Sequence, residues 1–141
     1  MVVLPELFEL YKLGLGRGIL LDANGQISAN VFKNIVGLGL ALQRLTWVQQ
    51  FLESYSHLLP ISARSDSVNY NTAKLEFARG NYRAVVRLLR DTDYTNIFVA
   101  IDARVLLAKT WYELDDADAL ESLLGSFESM IKRQKNLGYH P

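Results

Sequence analysis

The chain has 141 residues, of which 50% are hydrophobic and 21% charged, so it is long enough to form one domain with its own core. Its 15 basic residues balance its 15 acidic residues, and this neutrality removes the global field that would attract nucleic acid. The absence of cysteine excludes disulfides, thiolate nucleophiles and cysteine-ligated zinc.

The N-terminal run is apolar but is interrupted by charge. Residues 1 to 21 lack a basic N-terminal region and carry Glu6, Glu9 and Lys12 between the apolar residues. A signal peptide needs the basic region and a membrane span tolerates few charges, so this run fits neither. We therefore expect a cytoplasmic protein that does not insert into a membrane.

The first predicted element is a helix. Pro5 and Glu6 suit its first turn. Backbone N–H groups have no partner within the helix there, so proline loses no hydrogen bond, and a carboxylate favours the positive end of the helix dipole. The glycine-rich residues 14 to 18 predict that this helix ends there. Residues 22 to 28 predict a turn, with Ser28 as the N-cap of the next helix.

Downstream, apolar residues recur at a spacing of 35 positions. The matching sets are Ile35, Tyr70 and Val105; Leu38, Ala73 and Ala108; and Leu42, Phe77 and Tyr112. From one set to the next the chain advances by three or four residues, which is the spacing of one face of a helix. We therefore predict three helical hairpins, at residues 30 to 59, 67 to 90 and 97 to 134.

The turns inside these hairpins also align. The matching N-cap positions of the second helices are Thr46, Asn81 and Asp116. Gly80 precedes one of them and suits a left-handed residue at a helix end, and Thr46 with Gln49 is typical of a capping box. The sequence therefore predicts an all-α fold, in which residues 1 to 27 form an incomplete preceding hairpin.

The second hairpin carries the motif Tyr70-Asn71, Ala73, Phe77 and Gly80-Asn81-Tyr82, and the third carries Leu107-Ala108, Trp111-Tyr112 and Asp115-Asp116. In a helix-turn-helix unit repeated at roughly 34 residues, these motifs resemble the tetratricopeptide repeat. The resemblance implies an α-α superhelix of about three antiparallel hairpins preceded by an N-terminal helix. It also implies a non-enzymatic scaffold that binds a peptide or partner protein in a concave groove.

The same resemblance places the binding groove along the first helix of each hairpin. Lys74 and Lys109 occupy matching positions that would face the groove, with Gly39 at this position in the first hairpin. The other candidate groove residues are Tyr70, Asn71, Phe77 and Tyr112. Lysine and asparagine would hold the acidic end of a peptide, as in the carboxylate-binding grooves of this family.

The spacing of 35 and the sequence VNYNT at residues 68 to 72 also resemble the pentatricopeptide repeat, whose hairpins read single-stranded RNA. VNYNT occurs once, and the chain is neutral where RNA-binding arrays are usually basic. An RNA-binding helical repeat module is therefore the second hypothesis, and nucleic acid is not the partner that we expect.

No set of residues predicts catalysis or metal binding. His57 and His140 have no acidic or hydroxyl partner at a recognisable spacing. The glycine-rich residues 14 to 18 lack the lysine and hydroxyl of a phosphate loop, and residues 22 to 27 lack the end ligands of a calcium loop. Acidic residues between 115 and 121 fall at a helix N-terminus, where carboxylates favour the dipole. We predict no enzyme activity, no cofactor and no metal site.

The predicted array has no separate polar cap, because residues 136 to 141 follow the third hairpin directly. Either the long third hairpin covers its own end, or the chain is part of a longer array. Self-association through the uncapped ends is a third way to cover them.

Overall fold

Helices make up all of the regular structure in the described part of the chain. The computed structural model describes residues 3–90, 92, 94 and 96–136, so His140 lies outside it. The α-helices are α1 (Val3–Gly16), α2 (Ala29–Ala41), α3 (Leu45–Tyr55), α4 (Ile61–Ala78), α5 (Tyr82–Leu89), α6 (Ile97–Glu113) and α7 (Ala117–Asn136), and a short 3-10 helix, Ser56–Leu58, follows α3. The predicted all-α fold class is confirmed. None of these helices is both long and apolar enough to cross a membrane.

The helices form two compact units, Met1–Gly80 and Asn81–Pro141. In the first unit, α2 packs against α1, α3 and α4, and α3 also packs against α4. In the second unit, α6 packs against both α5 and α7. Helices α2 and α6 are therefore the central helices of their units.

Aromatic and branched side chains form the core of the first unit. The buried residues of this core are Ile27, Phe32, Ile35, Val36, Val48, Phe51, Leu52, Leu59 and Leu75. The rings of Phe32 and Phe51 lie with their centroids 4.8 Å apart, so α2 and α3 meet through an aromatic contact. Phe8 meets Trp47 edge to face at 4.7 Å, and this contact attaches α1 to the core.

Helices α2, α4 and α6 are each followed by a left-handed residue. These residues are Gln43, Gly80 and Asp115, with φ values of 58°, 79° and 57°. After α2, the Arg44 N–H donates to the Gly39 carbonyl at 2.8 Å. After α6, the Asp116 N–H donates to the Trp111 carbonyl at 3.0 Å. Such bonds satisfy carbonyl groups that a helix end would otherwise leave unpaired, as in a Schellman motif.

The first hairpin turns two residues earlier than a uniform spacing of 35 predicts. Gln43 precedes Gly80 by 37 positions, so Arg44 occupies the N-cap of α3 and makes no side-chain capping bond. Thr46 lies within the first turn of that helix. The predicted capping box of Thr46 and Gln49 is therefore wrong.

Two other predicted N-caps are confirmed. Ser28 Oγ accepts a hydrogen bond from the Val31 N–H at 3.1 Å, at the start of α2. Asp116 Oδ1 accepts a hydrogen bond from the Ala119 N–H at 3.0 Å, at the start of α7. Asn81 occupies the N-cap position of α5 without a side-chain capping bond.

Replacing Gln43 by glycine is expected to raise the free energy of unfolding by about 0.5 to 1 kcal/mol, because glycine adopts a positive φ without a Cβ clash. Gln43 is exposed, so the change removes no packing. Gly80→Ala is the matched opposite change and should lower the free energy of unfolding by a similar amount. Urea denaturation measures both effects, and equal stability of all three proteins would show that these turns carry no strain.

Candidate functional site

Three of the predicted groove residues form a row on α4. Tyr70, Lys74 and Phe77 are four and three residues apart, so they lie on one side of the helix. The Lys74 Nζ lies 5.6 Å from the centroid of the Tyr70 ring, within the range of a cation–π contact. All three side chains are half buried. Helix α4 therefore holds a lysine amine over one aromatic ring, with a second ring one turn further on.

Lys74 also lies against α2, at Gly37. A Cβ built on Gly37 would be 3.6 Å from the Lys74 Nζ, so these two positions are neighbours in the first unit. The spacing of 35 predicts that Gly39 is the α2 residue at the position that matches Lys74, and this prediction is wrong. Gly39 is buried, and a Cβ there would lie 2.6 Å from Cγ2 of Val48. The cause is the same two-residue offset that misplaces the N-cap of α3.

Asn71 lies inside the protein. The residue is 1% exposed, and its Nδ2 donates to the Ser67 carbonyl at 2.8 Å. Its buried Oδ1 accepts no hydrogen bond from the described residues. Asn71 therefore does not present its amide to solvent as the family resemblance implies, because tertiary packing covers this side of α4.

The two predicted groove residues on α6 face solvent. Lys109 is exposed, and Tyr112 is 73% exposed. Phe98 is 74% exposed, and Val105 is also exposed. Positions 98, 105, 109 and 112 are separated by seven, four and three residues, so they share one side of the helix. We call these four residues the α6 stripe.

The α6 stripe and the row on α4 share one pattern. In each, a lysine follows an apolar or aromatic residue by four positions and precedes an aromatic residue by three. The two sets are Tyr70, Lys74 and Phe77, and Val105, Lys109 and Tyr112. The residue of α2 that neighbours Lys74 is Gly37, and because glycine has no side chain α2 lacks this pattern. Helices α4 and α6 thus offer the same chemistry, each within its own unit.

An apolar cavity of about 220 Å³ lies beside Phe98, between α6 and α7. It is lined by Ile97, Phe98, Ile101, Met130, Ile131, Gln134 and Lys135. The predominantly apolar lining suits a hydrophobic side chain of a ligand. The sequence does not reveal this cavity, because Met130 and Ile131 lie outside the positions that recur at a spacing of 35.

A second cavity of about 260 Å³ in the same unit has three arginines in its lining, and we call it the basic cavity. Arg90 follows α5, Arg104 lies on α6 and Arg133 lies on α7, and all three line it. The Arg104 Nη1 donates to Ser126 Oγ at 3.2 Å, which fixes this guanidinium between α6 and α7. The residues that line both cavities are Ile97, Met130 and Gln134. Apolar and basic surface are therefore continuous, and a carboxylate attached to an apolar group fits the combination.

Within residues 3–90 and 96–136, no three His, Asp or Glu side chains lie close enough together to hold a metal ion. No protein-family model, curated protein or solved structure matches the chain. The surfaces of α4, α6 and α7 are therefore the features from which a function is inferred.

Proposed function

We propose that the chain is a non-enzymatic scaffold of tetratricopeptide-like helical hairpins, which binds a peptide or partner protein through the α6 stripe and the adjoining cavities. The exposure of Phe98 and Tyr112 carries this proposal, since these aromatic residues are 74% and 73% exposed. Aromatic residues that stay exposed on one helix face are typical of a surface that a partner covers.

The helix ends support the tetratricopeptide-like part of the proposal. Helices α2, α4 and α6 are each followed by a left-handed residue, and a second helix begins two residues later. Gly37 and Lys74 hold the same position relative to this residue, and they are neighbours within the first unit. A superhelical array requires such in-register packing of successive first helices.

The charges around α6 favour a partner that carries carboxylates. Lys109 lies within the α6 stripe, and Arg104 and Arg133 line the basic cavity. Amines and guanidinium groups bind carboxylates through charge-assisted hydrogen bonds. The apolar cavity takes a hydrophobic side chain. A peptide with an acidic residue or a free C-terminal carboxylate next to apolar residues combines these features.

Selection from a peptide library with free C-termini tests the proposal. We expect the selected peptides to combine apolar and acidic residues, and we expect their synthetic forms to bind the full chain in fluorescence anisotropy. Lys109→Glu should weaken this binding about tenfold, because an attractive charge pair becomes repulsive. Tyr112→Ala should weaken it by a similar or larger factor, since aromatic anchors contribute most to an interface.

Arg83→Glu is the matched control for charge. Arg83 is exposed like Lys109 but lies on α5. An acidic residue is favourable in the first turn of a helix, so this variant should fold. It should bind the selected peptides as tightly as the unchanged chain. An equal loss in Arg83→Glu and Lys109→Glu would show that binding follows net charge, which contradicts the assignment of the α6 stripe.

RNA binding is the alternative outcome of the same experiment. The neutral chain and the buried position of Asn71 both weigh against the reading of bases. If single-stranded RNA bound with an affinity that falls steeply with salt, and no peptide bound, the RNA-binding hypothesis would replace the proposed function.

A further inference from the structure

Helix α1 leaves one face of apolar side chains uncovered. The exposed residues of this face are Val3, Leu7, Leu10 and Leu13, and Leu4 at its edge is also exposed. Leu10 is 64% exposed, whereas Phe8, which contacts Trp47, is 3% exposed. The exposed residues are three or four positions apart, so they form one stripe along the helix. A solvent-facing stripe of branched side chains marks a surface that another molecule covers.

Backbone hydrogen bonding of the helical type continues from the end of α1 at Gly16 to Arg17. The Arg17 N–H donates to the Leu13 carbonyl at 3.1 Å, which continues the helical bonding beyond Gly16. Gly18, with a φ of 70°, is the left-handed residue that ends the helix. Because Arg17 lies four positions after Leu13 in this bonding pattern, it shares the side of the apolar stripe.

Charge is divided along α1. Glu6 and Glu9 lie in its first half, Lys12 lies in its second half, and Arg17 directly follows its last residue. Glu9 and Lys12 pair with each other at 3.4 Å. Among the described residues, Glu6 and Arg17 make no ion pair. A helix with an acid near one end and a base at the other is complementary to an antiparallel copy of itself.

We propose that α1 is a homodimerisation surface, where α1 of one copy packs antiparallel against α1 of a second copy about a two-fold axis at Leu10. Leu7 and Leu13 lie three positions on either side of Leu10. Rotation about this axis therefore places Leu7 of each copy opposite Leu13 of the other. The leucine spacing is symmetric about Leu10, so the face is complementary to itself and a second copy is its occupant.

The same geometry pairs the two remaining charges. A helix rises about 1.5 Å per residue, so Glu6 lies about 6 Å along the helix from the axis. Arg17 of the second copy lies about 10 Å from the axis in the same direction. An arginine side chain spans the offset of about 4 Å between them. Each dimer thus contains two symmetric pairs between Glu6 and Arg17.

Sedimentation velocity of the full chain, from micromolar to millimolar concentration, tests the dimer. We expect a reversible dimer that forms as the concentration rises. Leu10→Asp should raise the dissociation constant at least about a hundredfold, because it places two like charges at the centre of the apolar contact. Leu10 is exposed within one chain, so at concentrations where the unchanged chain is monomeric the circular dichroism spectrum should stay unchanged and the urea midpoint should fall only slightly.

Charge reversals test the antiparallel geometry. Glu6→Arg and Arg17→Glu should each raise the dissociation constant about tenfold, because each converts two attractive pairs into repulsive ones. An equimolar mixture of these two variants should dimerise as tightly as the unchanged chain, since every altered position then meets an opposite charge on the other variant.

Glu121→Arg is the matched control, because Glu121 is exposed on α7 and the net charge changes by the same amount as in Glu6→Arg. This variant should dimerise normally. The proposal is overturned if the unchanged chain is monomeric at every concentration, if Leu10→Asp leaves the dimer intact, or if the mixture of charge variants does not recover dimerisation.

Discussion

Replacing Asn71 by aspartate should lower the free energy of unfolding by about 3 to 5 kcal/mol. Asn71 is 1% exposed, and its Nδ2 donates to the Ser67 carbonyl at 2.8 Å. In the aspartate variant an anionic oxygen replaces this donor, so two acceptors face each other. The Asn71 Oδ1 already lacks a partner among the described residues, so neither carboxylate oxygen would be compensated.

Urea denaturation at neutral pH measures this loss. The loss should be smaller at acidic pH, because a protonated carboxyl is neutral and can donate to the Ser67 carbonyl. Asn71→Leu is the matched control, since leucine has a similar volume and removes the unpaired oxygen together with the donor. It should change the free energy of unfolding by less than about 1.5 kcal/mol. Equal stability of the two variants would mean that this side chain is not enclosed.

Helix boundaries are predictable where their cause is local. Ser28 and Asp116 can be identified as N-caps because each oxygen acts on a backbone N–H three residues away. Gly80 marks a turn because its own φ of 79° is costly for any residue with a Cβ. Both kinds of signal are contained in a few consecutive residues.

Such local signals do not determine the register of the first hairpin. Gln43 adopts a left-handed φ of 58° although its side chain does not favour that conformation. No glycine marks the turn, and a uniform spacing of 35 then misplaces both Gly39 and Thr46 by two residues. The hydrogen bond from the Arg44 N–H to the Gly39 carbonyl identifies the true end of α2, and it is visible only in the folded chain.

The exposure of apolar and polar residues depends on tertiary packing. Phe8 and Leu10 lie on the same largely apolar helix, and tertiary contacts such as that of Phe8 with Trp47 distinguish the covered face from the open one. Similarly, the family resemblance predicts that Lys109 and Asn71 are both groove residues, yet Lys109 is exposed and Asn71 is buried. Periodicity identifies a helix face, but the partner of that face is fixed by distant residues.

Replacing Gly39 by valine should lower the free energy of unfolding by about 3 kcal/mol, at the upper end of the usual cost of overpacking. A Cβ at this position would lie 2.6 Å from Cγ2 of Val48, which is closer than two carbon atoms can approach. Val48 is fully buried on α3, and a valine in a helix strongly prefers one rotamer, so it cannot move aside. Helices α2 and α3 would therefore have to separate.

Phe8 Cε1 lies 3.7 Å from the same Cβ position, which is an ordinary contact for the Cβ, so the methyl groups beyond it would press on α1. Gly125→Val in α7 is the matched control: no atom lies within 4 Å of a Cβ there, and valine is a better helix former than glycine, so stability should stay equal or rise slightly. Val48→Ala should lower the free energy of unfolding less in the Gly39→Val variant than in the unchanged chain, because Val48→Ala removes the methyl group that the new valine side chain at position 39 would meet. Thermal and urea denaturation of the unchanged chain, the two single variants and the double variant measure this coupling, and strictly additive losses would show that Gly39 and Val48 are not in contact.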